Sequence, residues 1–436
     1  MMKAMIERIA SAIEAEGGRA YYAGGYVRDY LQKSEAVSKD LDIEVFGLDL
    51  ENLQRVLARF GESRQVGKCF PVLKLKGYTD WDFTVPENPH VSLAEACLRR
   101  DFTINSMLMD VLTGEVIDLY GGQADLKEGV IRATHDRVFE DDPLRAYRAI
   151  QFVGRLGFRI APATLQLIRQ TELALIPPER VYEELRKLLL LSPHPSLGLI
   201  AMQETGILQQ RHHLLQQLIG CEQSPINHPE GDVWVHTLMV VDAAAQLKTH
   251  SEDPEVYLFA ALLHDLGKPT TTQLRDGKIT TYGHDVEGAQ LARDFMKEIS
   301  NSNKLIEKIA LLVREHMNPL LLYKQKERVG DKAIRKLLNR VNLKELLLLS
   351  EADYKGRDEV RDYEEIRNWF EKRLQDLGLT LDSRIEPLVQ GRDLLELGML
   401  PGLTFGEILE EALEMQMEGQ SKERILQHIR DSIIDS

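Results

Sequence analysis

The sequence predicts an α+β chain in which a small mixed sheet comes first and helices fill roughly the last two-thirds. Three observations carry this. Short β-forming runs broken by glycine pairs crowd the segment up to about residue 125. Leucine-rich stripes at helical spacing take over from about Asp142. And 436 residues exceed what one core organises, at roughly 150 residues per domain. A composition of 43% apolar, 28% charged and 6% aromatic residues is that of an ordinary globular protein and excludes a disordered or collagen-like chain.

Taken in order, Ala4–Glu16 carries Met5, Ile6, Ile9, Ala12 and Ile13 at helical spacing and stops at Gly17-Gly18. Arg19–Ala23 is a short strand ending at Gly24-Gly25. Leu41–Phe46, Pro71–Leu75 and Trp81–Val85 read as strands, and Met107–Val111 with Val116–Leu119 as a hairpin around Thr113-Gly114. Residues 142–219 are helical throughout. A polar break at 220–231, with Pro225, Asn227, His228 and Pro229, separates them from a second helical block, Val233 to about Leu377. The last segment opens at Pro387, is punctuated by Gly391, Gly398 and Pro401-Gly402, and ends in a charged helix.

Charge and targeting signals narrow the class. Apolar runs such as Leu258–Leu263 fall far short of the ~20 residues that span a bilayer. The start, Met1 to Glu7, becomes acidic at once, so no signal peptide is expected. Cys69, Cys97 and Cys221 are scattered and odd in number, which predicts idle thiols in a reducing cytoplasm. A net charge of −15 excludes a uniformly basic nucleic-acid coat while allowing a local basic groove.

Four motifs in the first part carry chemistry. Gly24-Gly25-Tyr26-Val27-Arg28 lies where a strand opens into a helix, a place where backbone approaches phosphate; the plain alternative is a turn. Asp40 and Asp42 alternate in Asp40-Leu41-Asp42-Ile43, so a strand points both carboxylates to one side. Such a pair repels unless a cation lies between, and all-oxygen ligation suits Mg²⁺ on a nucleoside triphosphate; solvated acids on an edge strand are the alternative. Arg99-Arg100-Asp101-Phe102-Thr103-Ile104-Asn105 can meet phosphate, ribose and base edges, or simply start a helix. Asp142, Arg145 and Arg148 stand at i, i+3 and i+6, which predicts one helical face and, at the plainest, an intrahelical ion pair.

In this order the motifs resemble the class II tRNA nucleotidyltransferases, the CCA-adding enzymes and their bacterial poly(A) polymerase relatives. The resemblance implies a polymerase-beta-like nucleotidyltransferase head, an all-α neck and body and a small tail. It implies that Gly24, Gly25 and Arg28 hold the triphosphate and that Asp40 and Asp42 bind Mg²⁺. Arg100, Asp101 and Asn105 would handle the sugar, and Asp142 and Arg145, with Arg148 one turn on, would meet the edge of the incoming base. Partners would be tRNA, CTP and ATP, with no membrane. Two departures stand out: Asp141 replaces the usual Glu, and the segment from Asp82 to Arg99 is short, with Glu87 near an expected arginine. In the family a short loop here goes with adding CC but not the terminal A, so a separate A-adding enzyme is an expected partner. Asp82 is a candidate third carboxylate; an edge-strand acid is the alternative.

The second helical block holds another constellation. His236 lies on the apolar helix Val233 to Leu247, and His264-Asp265 follow Leu258–Leu263 and precede Gly267-Lys268-Pro269. His284, His316 and Asp353 come later. Burying an aspartate without a cation is costly, and imidazole with carboxylate suits a transition metal better than Ca²⁺. The set resembles the HD phosphohydrolase domain, which implies His236, His264, Asp265 and Asp353 as ligands of a divalent transition metal or Mg²⁺. It leaves His284 and His316 for a second ion or a phosphate, with phosphatase or 2′,3′-cyclic phosphodiesterase chemistry. The expected division is head 1–125, neck and body 126–220, HD domain 221–377 and tail 378–436. The rival readings are a poly(A) polymerase, an HD hydrolase with an inactive head, and a non-catalytic RNA-binding protein.

Overall fold

The structure, a computed structural model, describes residues 2–32, 41–67, 71–86, 88, 91–357 and 362–434; Asp40, Cys69 and Glu87 lie outside the described residues. The chain divides into two compact units, Met1–Leu188 with Leu197–Arg211, and Leu189–Ser196 with His212–Ser436.

In the first unit a seven-stranded sheet is built from β1 (Arg19–Ala23), β2 (Leu41–Phe46), β3 (Ser63–Val66), β4 (Val72–Leu75), β5 (Tyr78–Thr84), β6 (Leu108–Asp110) and β7 (Val116–Ile117). The strand order is β3-β4-β5-β2-β1-β6-β7. Only β2 and β5 run parallel; the other pairs are antiparallel. Leu41, Ile43 and Val45 of β2 are buried with Trp81 and Phe83 of β5. Against them pack Ile6, Ile9 and Ile13 of α1 (Met2–Ala15) and Leu53, Val56 and Leu57 of α3 (Leu50–Leu57). Between these helices in sequence lies α2 (Gly25–Leu31), which leaves β1 directly. Because strand side chains alternate, residues 42, 44 and 82 take the face opposite this core. Within this sheet β3 was not expected: Ser63-Arg64-Gln65-Val66 is a polar, largely exposed edge without the alternation that marks a half-buried strand. Nor was a separate two-stranded parallel pair, Val130–Ile131 with Arg159–Ile160, the second of which interrupts the stretch 142–219 expected to be helical throughout.

Helices then follow: α4 (Leu93–Leu98), closed by a Ser92/Glu95 capping box, α5 (Gly122–Glu128), α6 (Val138–Asp141), α7 (Arg145–Leu156), α8 (Pro162–Gln170) and α9 (Pro178–Leu191). The second unit is helical, as expected, except for an exposed hairpin, Gln273–Arg275 with Lys278–Thr280, which turns at Asp276-Gly277. Its main helices are Val233–Leu247, Pro254–Leu263, His284–Ile299, Asn303–Glu315 and Leu343–Lys355. The helices after residue 390 bury a small core of their own, Val389, Leu394, Ala412, Ile425 and Ile429. Among the described residues no helix is long and apolar enough to cross a membrane.

Candidate active sites

Strand β2 lays Leu41, Ile43 and Val45 into the core, so Asp42 and Glu44 emerge on the other face, Asp42 exposed and Glu44 half-buried. The parallel register sets Asp42 directly beside Asp82 of β5, and Lys74 Nζ lies 2.6 Å from Asp82 Oδ1. Beside them β1 ends in Gly24, whose φ of +61° turns the chain into α2. A Cβ at Gly24 would lie 3.1 Å from Arg100 Nη1 and 3.6 Å from Asp42 Oδ2. Glycine therefore keeps open the space between a carboxylate and a guanidinium. Arg100 Nη2 donates to Glu44 Oε2 at 2.7 Å, which fixes the arginine over this face. An exposed carboxylate, Asp42, beside a half-buried one, Asp82, that is ion-paired with Lys74, with Arg100 close by, fits an oxygen-ligated ion carrying phosphate. Asp40 lies outside the described residues.

A second group lies beneath. Arg28 is 3% exposed and donates through Nε and Nη2 to Asp29 Oδ1 and through Nη1 to Asn105 Oδ1. Asn105 in turn donates to Asp101 Oδ1 at 3.0 Å, and Arg148 Nε to Asp101 Oδ2 at 2.7 Å. Both guanidiniums stand over the Phe152 ring. Burial pushes the Asp101 carboxyl up, but Arg148, Asn105 and the Phe102 N–H outweigh it and hold the group below its usual range. Arg28, Asp101, Asn105 and Arg148 are thus one network joining α2, the turn Thr103–Asn105 and α7.

The expectation that Asp142, Arg145 and Arg148 share a helical face does not hold. Asp142 has φ −154° and ψ 102°, outside α7, because the residue before Pro143 is driven out of the helical region. Its carboxylate accepts two hydrogen bonds from Arg180 of α9, at 2.8 and 3.2 Å. Arg145 donates instead to the carbonyls of Arg99 (2.7 Å) and Val138 (3.2 Å). Arg145 therefore touches the residue next to Arg100, while Arg148 serves Asp101.

In the second unit the residues singled out in sequence converge. His236, His264, Asp265, His284, His316 and Asp353 are each at most 6% exposed. Asp265 stands at the centre, Oδ2 lying 3.1 Å from His264 Nε2 and 3.8 Å from His236 Nε2, and Oδ1 3.6 Å from His284 Nε2 and 4.0 Å from His316 Nε2. Asp353 Oδ1 is 3.0 Å from His236 Nε2. In His264, His284 and His316, Nδ1 meets the carbonyl three residues earlier, at 2.8, 2.7 and 2.6 Å. A carbonyl only accepts, so Nδ1 carries the proton and a neutral ring turns a bare Nε2 inward. His316 is held at about 4 by burial and by the neighbouring His284 and His264, so its ring is neutral near pH 7. His264 Nε2 is buried with no hydrogen-bond partner, and His284 Nε2 and His316 Nε2 face each other at 3.3 Å. Bare lone pairs around two carboxylates are a cation site. The groups His236/His264/Asp353 and Asp265/His284/His316 each gather ligand atoms within 4.8 Å, so the donors fit two ions with Asp265 between them. Gly267 makes this packing possible: a Cβ there would lie 2.1 Å from His284 O.

Cations and a further acid edge the cluster. Lys268 Nζ is 2.7 Å from Asp265 Oδ2 and donates to Gln223, and Arg357 Nη2 is 3.4 Å from Asp353 Oδ1. Burial raises the Glu230 carboxyl, but His236 and His228 more than reverse this and bring it to about 2. Glu44, Arg180, His228, Glu230 and Arg357 were not anticipated. Glu44 and Arg180 pair with residues far away in sequence and His228 and Glu230 lie in a polar loop, whereas Arg357, four residues after Asp353, stands at a helical spacing that could have signalled it.

With the geometry in place, the comparisons are concordant. A family model described as the poly A polymerase head domain matches residues 20–132, one described as a probable RNA and SrmB-binding site of polymerase A matches 157–217, and the HD domain matches 233–358. The multifunctional CCA protein of Actinobacillus pleuropneumoniae serotype 5b is 33% identical over 387 residues, covering 81% of this chain and 90% of the relative. That of Neisseria gonorrhoeae is 35% identical over 320 residues, covering 69% and 74%. Among solved structures, a Bacillus stearothermophilus CCA-adding enzyme in complex with CTP covers 99% of this chain and 98% of its own at 23% identity, with a TM-score of 0.68. A Thermotoga maritima CCA-adding enzyme complexed with tRNA covers 98% and 94% at 23% identity, with a TM-score of 0.60. At that identity the structures speak for the fold. Head and helical block together define a nucleotidyltransferase that carries an HD domain. On the relatives' identity and coverage, the chain belongs to the family of the multifunctional CCA proteins.

Proposed function

We propose that the head adds CC, or the complete CCA, to the 3′ end of tRNA from CTP and ATP, with release of pyrophosphate, a separate A-adding enzyme completing the tail where addition stops at CC. The observation that carries the transfer is the register of Asp42 beside Asp82, with Gly24 leaving open the space between Arg100 and Asp42. Relatives named for CCA and neighbours solved with tRNA, CTP and ATP support these partners. The short segment 83–98 favours stopping at CC. Asp40 and Asp42, with Asp82 beside them, would hold Mg²⁺, which when bound neutralises triphosphate charge and acidifies the attacking hydroxyl. Gly24, Gly25 and Arg100 line the triphosphate position. Arg28, expected there too, is 3% exposed and engaged by Asp29 and Asn105. With Asp101 and Asn105, expected at the sugar, and Arg148, expected near the base, it holds that wall in place. Asp142, steadied by Arg180, and Arg145 meet the base edge, where a carboxylate accepts from an amino group and a guanidinium donates to ring acceptors. Such work belongs in the cytoplasm, and the four segments 1–125, 126–220, 221–377 and 378–436 divide it.

The second unit supports a further reading, a metal-dependent phosphohydrolase acting as phosphatase or 2′,3′-cyclic phosphodiesterase. It rests on the inward-facing Nε2 atoms around Asp265. His236, His264, Asp265 and Asp353 would hold a divalent transition metal or Mg²⁺, and His284 and His316 with Asp265 a second ion. A bound ion there supplies a hydroxide at neutral pH and polarises the phosphoester.

The test uses three tRNA transcripts ending at the discriminator base, at C and at CC, each with Mg²⁺ and labelled CTP or ATP. CC without A is the expected product. Complete CCA would overturn the role given to segment 83–98, unlimited A addition would make the chain a poly(A) polymerase, and no incorporation would leave the phosphohydrolase as the activity.

A further inference from the structure

The loop 220–231 is built as a closed strap. Gly220 N donates to Asp232 Oδ2 at 2.6 Å, and Asp232 also caps the helix Val233–Leu247 by accepting from Val235 N at 2.9 Å. Inside the strap, Gln223 Nε2 donates to the carbonyls of Gly231 and Asp232, and His228 N to Ser224 O. This closure aims one acid inward. The Glu230 side chain is 1% exposed, and its Oε1 lies 2.9 Å from His228 Nδ1 and 2.8 Å from His236 Nδ1.

His236 differs from the other three imidazoles in this respect. His264, His284 and His316 each place Nδ1 on the carbonyl three residues earlier in their own chain segment. His236 instead sets Nδ1 against a carboxylate, while its Nε2 faces Asp353 and Asp265. A ring without an acceptor on Nδ1 chooses freely between tautomers, and half its choices present N–H to the ion. Resting on the phosphohydrolase reading, we propose that Glu230, itself held by His228, is the positioning residue of His236: its carboxylate accepts the Nδ1–H, which keeps the ring proton on Nδ1 and leaves Nε2 bare toward the metal. His228 Nδ1 hydrogen-bonds Glu230 Oε1 at 2.9 Å, whereas Glu230 Oε1 lies 2.8 Å from His236 Nδ1 outside hydrogen-bond geometry. The ring's own hydrogen bond joins Nε2 to Asp353, so the proposed Nδ1–H···Glu230 bond is one the ring would make when an ion takes Asp353. A metal-bound imidazole tied through its other nitrogen to a carboxylate gains basicity as well as orientation, and loss of such a partner typically costs about 10–100-fold in metal affinity.

The test measures Ni²⁺ affinity and stoichiometry of the full chain by competition with a chromophoric chelator, together with the metal-free Tm. The variants are His236→Ala, Glu230→Ala, Glu230→Gln and His228→Ala. Wild type is expected to lose a site in His236→Ala; equal binding by both would overturn the phosphohydrolase reading itself and the proposal with it. Glu230→Ala is expected to bind about 10–100-fold more weakly, Glu230→Gln, whose amide oxygen still accepts from Nδ1, to keep most of the affinity, and His228→Ala to show a smaller loss than Glu230→Ala. Unchanged affinity in Glu230→Ala with a lowered Tm would make Glu230 a purely structural residue and overturn the proposal. Loss of a whole equivalent of Ni²⁺ in His228→Ala would also overturn it, by making His228, Glu230 and His236 an ion site. If Glu230→Ala does not fold, Glu230→Gln and His228→Ala decide: affinity below that of wild type by more in Glu230→Gln than in His228→Ala contradicts the accepting role, and the reverse order supports it.

Discussion

The two acidic sites of this chain differ in what holds their residues still. Around Asp265, every ligand candidate is at most 6% exposed, and three imidazoles are locked by backbone carbonyls of their own chain segments. In the head, Asp42 is exposed, and its position follows from strand register, from Gly24 and from an arginine pinned on Glu44. Burial makes the first site stiff and exacting, because unpaired buried charges and lone pairs carry a desolvation penalty that a cation relieves. The head needs no such rigidity at its carboxylates. Its stiffness lies one layer down, in the Arg28–Asn105–Asp101–Arg148 network. A site that must admit a nucleotide and a polynucleotide end gains from being open, whereas one that clamps ions gains from being closed.

The sharpest way to break the comparison is to disable one site and read the other. Asp42→Ala should lower labelled CTP incorporation by more than about a hundredfold while leaving Ni²⁺ binding unchanged, if the exposed carboxylate is indispensable to geometry at the reacting centre. Incorporation near that of wild type would remove Asp42 from the reaction. Conversely, His264→Ala should abolish tight Ni²⁺ binding and phosphoesterase turnover on a 2′,3′-cyclic nucleotide, with CTP incorporation within about twofold of wild type. EDTA should stop both reactions. A third change sharpens the contrast between exposed and supporting layers: Arg148→Ala leaves Asp101 buried with Oδ2 unpaired and should cost about 2 kcal/mol in urea unfolding. No change in the transition midpoint would show that the network carries no stability.

The smallest effect is in pH. The folded Asp101 carboxyl is held below its ordinary value near pH 4, so its contribution is fully present above that value and is lost as pH falls through the lower folded one. Melting followed from pH 6 downward should show an acid destabilisation that Asp101→Asn makes shallower. An unchanged slope in that variant would place the acid sensitivity elsewhere.

Much of this was readable along the chain. Alternation in Leu41–Phe46 set which residues face the core, and the helical periods around His236 and His264 were clear. What failed was instructive. The i, i+3, i+6 spacing of Asp142, Arg145 and Arg148 assumed a helix that Pro143 forbids, and β3 has too polar a sequence to announce itself. Arg180 pairs with an acid 38 positions away, a separation at which no local pattern survives.

Residue types and their periodicity were enough for the α+β order, the acid-bearing strand and the order of the histidines, because alternation and helical spacing are properties of neighbouring residues. The folded chain alone decided that Asp82 lies in register with Asp42, that Asp265 faces four imidazoles through both oxygens, and that Glu230 reaches His236. Those pairings depend on strand register, close backbone approach at Gly267 and the closing of a loop, and each brings together groups whose separation in sequence carries no record of their distance in space.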